Sequence, residues 1–123
     1  MIIGNLLRTF YFKQQSGLQC RTTYSIEKTT ANVLIFGSSA ANHDYQTNTF
    51  TKRLDTSFYN TGRDGISIFY EYAVLKAILK RYTPKIIILD FDQEEFIKNE
   101  ASYDRLSALL PYYINHPEIR SII

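Results

Sequence analysis

Two stretches of this chain leave no side free for water: Val33-Leu34-Ile35-Phe36 and Ile86-Ile87-Ile88-Leu89. Successive side chains of a strand point to opposite faces, so an unbroken apolar run needs cover on both. Such runs belong to strands inside a parallel sheet with helices above and below, not to hairpins with one wet face. Each run ends abruptly, the first at Gly37-Ser38-Ser39 and the second at Asp90-Phe91-Asp92. This pair of strands restricts the chain to an α/β arrangement more tightly than any other feature.

The intervening sequence supplies the crossovers. Ile66–Tyr82 reads as a helix, with Ile68, Tyr72, Leu75, Leu79 and Tyr82 in one apolar stripe and Glu71, Lys76 and Lys80 away from it. Asp64 is placed to cap it, and Pro84 stops it. Gln46–Leu54 reads as a short helix, Ser57-Phe58-Tyr59 as a short strand that enters the turn Asn60-Thr61-Gly62-Arg63-Asp64-Gly65. Ser102–Leu110 is expected to be helical, Pro111 to break it, and Pro117 to open a last helix in His116–Ile123. Residues 1–31 read as an irregular lead-in, with one helical turn available in Thr22–Thr30, and residues 32–123 as the domain proper.

Strands and helices alternating at this spacing imply right-handed parallel crossovers. The expected fold is a three-layer α/β sandwich with a flavodoxin-like parallel sheet, the first strand lying between the other two. Three strands make a thin sheet, and the last helix runs to the final residue. The chain is therefore expected to be the N-terminal portion of a larger domain, incomplete at its C-terminus. Uncovered apolar surface, through which copies could self-associate, should follow.

Composition removes several function classes. The formal net charge is +2, and the densest basic group, Lys76, Lys80, Arg81 and Lys85, sits around a helix end where cations favour the helix dipole. Nucleic acid is not an expected partner, because its footprint is a clustered basic patch. Cys20 is the single cysteine, so no disulfide forms within the chain. Gly17-Leu18-Gln19-Cys20 is a poor lipobox, since bulky Gln19 precedes the cysteine. The apolar start, Met1–Leu7, is far shorter than the ~20 residues of a membrane span and lacks a basic leader, so no anchor is expected within this chain. Location stays open.

In open parallel sheets, ligands bind beyond the carboxyl ends of the strands. That rule selects Gly37–His43, Asn60–Gly65 and Asp90–Glu95. Apolar strand, Gly37-Ser38-Ser39, then Asn60-x-Gly62-x-x-Gly65, then strand and acidic loop resembles the SGNH/GDSL hydrolases, in the variant with Gly-Ser-Ser for Gly-Asp-Ser. The resemblance covers about residues 32–97. It implies a serine esterase, acyl-group hydrolase or transferase without a cofactor or metal, acting on an acylated small molecule or glycan. It also implies Ser39 as nucleophile and the Gly65 backbone N–H as an oxyanion donor. Independently, a serine on a sharp strand-to-helix turn exposes its hydroxyl, and glycine lets backbone N–H groups approach a developing oxyanion.

Two departures stand out. Where the family offers an Asn side chain to the oxyanion, this chain has Glu94, and no Asp-x-x-His supplies a general base. A serine without a base is a poor nucleophile, so the chain by itself is expected to be inactive. His43, four residues after Ser39, could reach the site rim or act as a loop histidine, while His116 reads as structural. Ser38, Asn60 and Gly62 are further site candidates that turn chemistry alone would also explain. Two other classes stay open. A non-catalytic α/β binding or assembly module fits Glu94 and the missing base. Ile86 to Asp92 also looks like the first motif of haloacid-dehalogenase-type phosphatases, with Asp90 as the attacking group, though Glu94 stands where that motif has a small residue.

Overall fold

The structure is a computed structural model that describes residues 1–97 and 100–123. In chain order it contains α1 (Ile2–Phe12), α2 (Gly17–Glu27), β1 (Val33–Phe36), α3 (Ser39–Asp44), α4 (Thr47–Leu54), β2 (Phe58–Asn60), α5 (Ile68–Arg81), β3 (Ile86–Leu89) and α6 (Glu100–Asp104). Three 3-10 segments, Gln93–Phe96, Arg105–Tyr112 and Pro117–Ile119, complete the C-terminal part. The sheet is parallel with order β2-β1-β3, which places the first strand centrally as the sequence predicts. Val33 pairs with Phe58 on one side and with Ile86 on the other.

All four residues of β1 are buried, as its double-sided apolar run requires. Leu34 and Phe36 face a core built with Ile26 of α2, Tyr70, Val74 and Ile78 of α5, and Leu109 and Tyr112. Val33 and Ile35 point the other way, toward Phe50 and Leu54 of α4. β3 has the same sequence character but a different fate. It forms the sheet edge, and Ile86, Ile87 and Leu89 are each more than 40% exposed, Ile86 reaching 55%. This is the uncovered apolar surface anticipated above, located along one strand.

Helix α5 lies rotated from its expected orientation. Its core face is Tyr70, Ala73, Val74, Ala77 and Ile78, with Glu71 also buried, whereas Tyr72 and Leu79 of the expected stripe are exposed. The small side chains of Ala73 and Ala77 allow close approach to the core, so they win the inner face over bulkier neighbours. Its cap also differs: Ser67 occupies the N-cap position, and Asp64 bonds elsewhere.

The segment expected to be an irregular lead-in is two helices. α2 buries Thr22, Thr23, Ser25 and Ile26, an inner face too polar to stand out as an apolar stripe. Hydroxyl pairs dock it. Thr22 bonds the Tyr70 hydroxyl at 2.7 Å, and Thr23 bonds that of Tyr112 at 2.6 Å. Arg81 at the end of α5 donates to the carbonyls of Ser25, Ile26 and Thr29, satisfying the open C-terminal end of α2. Exposed α1 shows Ile2, Ile3, Leu6 and Leu7 to solvent, and no helix among the described residues is long and apolar enough to cross a membrane.

Ser102–Leu110 is helical as expected, starting in α6 and continuing as 3-10. Pro111 does not break it but lies within Arg105–Tyr112, and the expected last helix is only the short 3-10 turn Pro117–Ile119. It is pinned by buried His116, whose Nε2 meets Glu27 Oε1 and whose Nδ1 meets Glu118 Oε1, both at 2.7 Å. Burial opposes a charge on this imidazole, but its bonds to Glu27 and then Glu118 outweigh it and hold the pKa above the ordinary histidine value.

The turn after β1 tolerates no side chain at its first position. Gly37 has φ +152°, and a Cβ there would come within 2.5 Å of both the Ala41 Cβ and the Asp90 carbonyl oxygen. Gly37→Ala should therefore destabilise the fold by about 2–4 kcal/mol, combining backbone strain and overpacking. Urea denaturation measures this, and a midpoint equal to that of the parent would show that the passage is looser than described.

Candidate active site

Beyond the tips of β1 and β3 lies a cleft of about 400 Å³. Ser38, Ser39 and Gly65 line it together with Asp92, Glu94 and Arg105. Ser39 is the first residue of α3 and is exposed, while Ser38 is half-buried at the N-cap position. Gly65, at φ +67°, turns the chain just before α5, so its backbone and the start of a 14-residue helix border the same space. The Ser39 and Gly65 of the sequence reading thus share one cleft.

The other candidates have separate employment. Asn60 donates to the carbonyls of Ala41 and Tyr45 at 2.6 and 3.4 Å and accepts the Gly62 N–H at 2.8 Å. It clips the end of β2 to α3 and, like Gly62, does not line the cleft. His43 Nε2 lies 3.2 Å from Asp64 Oδ2, outside the cleft lining. The Asn42 amide, and after it His43, hold the Asp64 carboxyl below its usual range. Arg21 joins this cluster through Asn42 Oδ1 and the Gly62 carbonyl. These bonds fix α3, and with it Ser39, on the turn that follows β2.

Among the acidic residues, Asp92 caps its own 3-10 turn, its Oδ1 accepting the Glu94 N–H at 2.9 Å. Glu94 lines the cleft, where the resemblance would have an amide. No group of three His, Cys, Asp or Glu side chains among the described residues is gathered as a metal site. Arg105, which sequence reasoning did not single out, donates to the Ile66 carbonyl at 3.1 Å and brings a cation into the cleft. Its only sequence signal is an arginine on a segment otherwise packed by Leu106 and Leu109. Ser67 Oγ donates to the Ser102 carbonyl at 3.1 Å, tying the start of α5 to α6 beneath the cleft.

Glu95 borders both this cleft and an adjoining apolar groove of about 440 Å³. Glu71 lies in that groove at 3% exposure, and neither of its carboxyl oxygens has a hydrogen-bond partner among the described residues. Burial, and then the charges of Glu95 and Asp90, push its pKa up to about 8.

Comparisons with protein-family models, curated proteins and solved structures returned no match. The chemistry of the cleft therefore rests on its own residues: a hydroxyl at a strand tip, a glycine at a helix start, one guanidinium and several carboxylates.

Glu71 gives the fold a pH signature. The folded chain keeps this proton up to about 8, whereas the unfolded chain releases it near 4.5. The native state then binds more protons across that window, so stability falls as pH rises through it and levels off above. Glu71→Gln should flatten this slope and be the more stable form at pH 8 by on the order of 2 kcal/mol. Urea unfolding at pH 5 and pH 8 reads the difference, and an unchanged slope would mean that this carboxyl is solvated or paired.

Proposed function

We propose that the chain carries an acyl-transfer site of SGNH-like type, on a flavodoxin-like α/β framework. Ser39 Oγ attacks an ester carbonyl, and the Gly65 backbone N–H receives the developing oxyanion. The observation that carries this reading is the common cleft of Ser39 and Gly65, at the strand ends where such sheets bind ligands. The positive end of α5 and the Arg105 guanidinium favour negative charge appearing there. An acylated small molecule or glycan is the substrate class.

Attack forms a bond from Ser39 Oγ to the carbonyl carbon as the carbonyl π pair moves onto oxygen and the hydroxyl proton passes to a base. Collapse then breaks the ester C–O bond, and the alcohol leaves with that proton. No imidazole lines the cleft among the described residues, and His43 faces Asp64. Glu94 adds negative charge close to the oxyanion. A positioned base is worth roughly 10²–10⁴-fold and an oxyanion donor about 10²–10³-fold. The chain alone is thus a slow or silent catalyst. These same two features favour a second reading, a non-catalytic binding or assembly module on the same sheet. The phosphatase reading draws little from the site, because the Asp92 carboxylate serves as a turn cap and Asp90 does not line the cleft.

A fluorophosphonate probe separates the first two readings, since it reports a placed nucleophile even where turnover is slow. Mass spectrometry should find the adduct on Ser39, lost in Ser39→Ala and retained in Ser38→Ala. Turnover of p-nitrophenyl acetate should stay near background. Labelling that persists in Ser39→Ala, or no adduct after prolonged exposure, would reject the acyl-transfer site and favour the module.

A further inference from the structure

The groove beside β3 holds three of the four buried side-chain atoms left without a hydrogen-bond partner among the described residues, and the acyl-transfer reading makes no use of it. One wall is Ile68, Tyr72 and Leu75, spaced as successive turns of one side of α5. The other is Ile87 and Leu89 of β3, with Phe96 closing one end. Inside lie both oxygens of Glu71 and the Oε2 of Glu95, none of which has a partner among the described residues. The ion pairs among the described residues, made by His43 and His116, lie elsewhere. A buried carboxyl without a partner loses its water and gains nothing in return, a cost that native structures normally offset with a donor.

The strand that borders the groove is also unfinished. Ile86 and Asp90 send their N–H groups to β1, to the carbonyls of Asn32 and Phe36. In a parallel ladder alternate residues face alternate neighbours, so Ile87 and Leu89 turn their backbone groups to the open edge. On the opposite face of the sheet, Ile86 and Ile88 line a second apolar hollow with Phe50 and Leu54. An exposed, flat, aliphatic edge of this kind is a template for another strand.

We propose that the β3 edge is a docking site for an extended segment of a separate polypeptide, alternately apolar, with one Lys or Arg side chain entering the groove between Glu71 and Glu95. The backbone of that segment pairs with Ile87 and Leu89, and its apolar side chains cover the two hollows flanking β3. Its cation gives Glu95 Oε2 and the Glu71 carboxyl the donor that both lack among the described residues, and its approach draws the proton off Glu71 as the pair forms. A second copy pairing through its own β3 fits poorly. The groove-facing residues of that strand are Ile87 and Leu89, so the copy would bring no cation and would set a second Glu71 and Glu95 opposite the first. This site stands apart from Ser39, and it holds or fails whatever the outcome of fluorophosphonate labelling.

The probe is an acetylated, amidated seven-residue Val/Thr peptide with a central Lys, compared with its norleucine and Glu counterparts. Binding is followed by fluorescence anisotropy and by amide hydrogen exchange on the full chain. The Lys peptide should bind roughly 10- to 100-fold more tightly than the norleucine peptide, the range expected for a buried charged hydrogen bond. It should also protect the Ile87 and Leu89 amides. Glu71→Gln should abolish the preference for Lys while leaving the circular dichroism spectrum unchanged. Ile87→Pro, which removes an edge N–H at an exposed position, should weaken all three peptides. Equal affinity for the Lys and norleucine peptides would overturn the proposal, as would no binding at millimolar peptide. Protection of the same amides by dimerisation of the chain alone would assign the edge to a second copy and overturn it as well.

Discussion

The burial of β1 on both faces governs the arrangement of the remaining elements. A strand of four apolar residues can bury fully only with a neighbour on each edge and a layer on each side. β2 and β3 supply the edges, while α4 on one face and α2 with α5 on the other supply the layers. Because β1 is so enclosed, the chain leaving it has one exit, through the narrow passage at Gly37. That passage sets Ser39 at the mouth of the cleft. The position of the candidate nucleophile is thus a by-product of core packing, reached before any chemistry is considered.

Legibility in the sequence followed the strength of each local pattern. β1 and β3 were read residue for residue, since a continuous apolar run has few other uses. The shared cleft of Ser39 and Gly65 also followed from the sequence, because strand tips and turn glycines converge by topology. α2 escaped notice since its inner face is Thr22, Thr23, Ser25 and Ile26, and hydroxyl-to-tyrosine bonds do the docking that aliphatic contacts usually do. α5 was recognised as a helix but oriented wrongly. Tyr70, Val74 and Ile78 compete with Ile68, Tyr72 and Leu75 for the inner face, and only the alanines at 73 and 77, read against a core, decide between them. Arg105 and the burial of Glu71 depend on long-range packing that no local window contains.

The charged groups divide into two kinds. Asp64, Asp92 and Arg81 have specific partners close in space and hold turns and helix ends together. Glu71 and one oxygen of Glu95 have none among the described residues. Acidic groups of the second kind lie where α5 and β3 leave an apolar groove open, so the unfavourable electrostatics and the uncovered surface coincide. A single partner that brought both a cation and apolar cover would relieve the two together.

The histidine at the C-terminal end has its own consequence. An imidazolium carries two N–H groups, whereas the neutral ring carries one. His116 is held between Glu27 and Glu118, so it serves both carboxylates only while it keeps its second proton. Glu27 and His116 lie 89 positions apart, and their bond closes most of the chain into a loop without a covalent link. Above the raised pKa of the ring, one carboxylate must give up its donor. Loss of that proton therefore weakens one of the two ties that His116 makes, to α2 through Glu27 or to its own turn through Glu118.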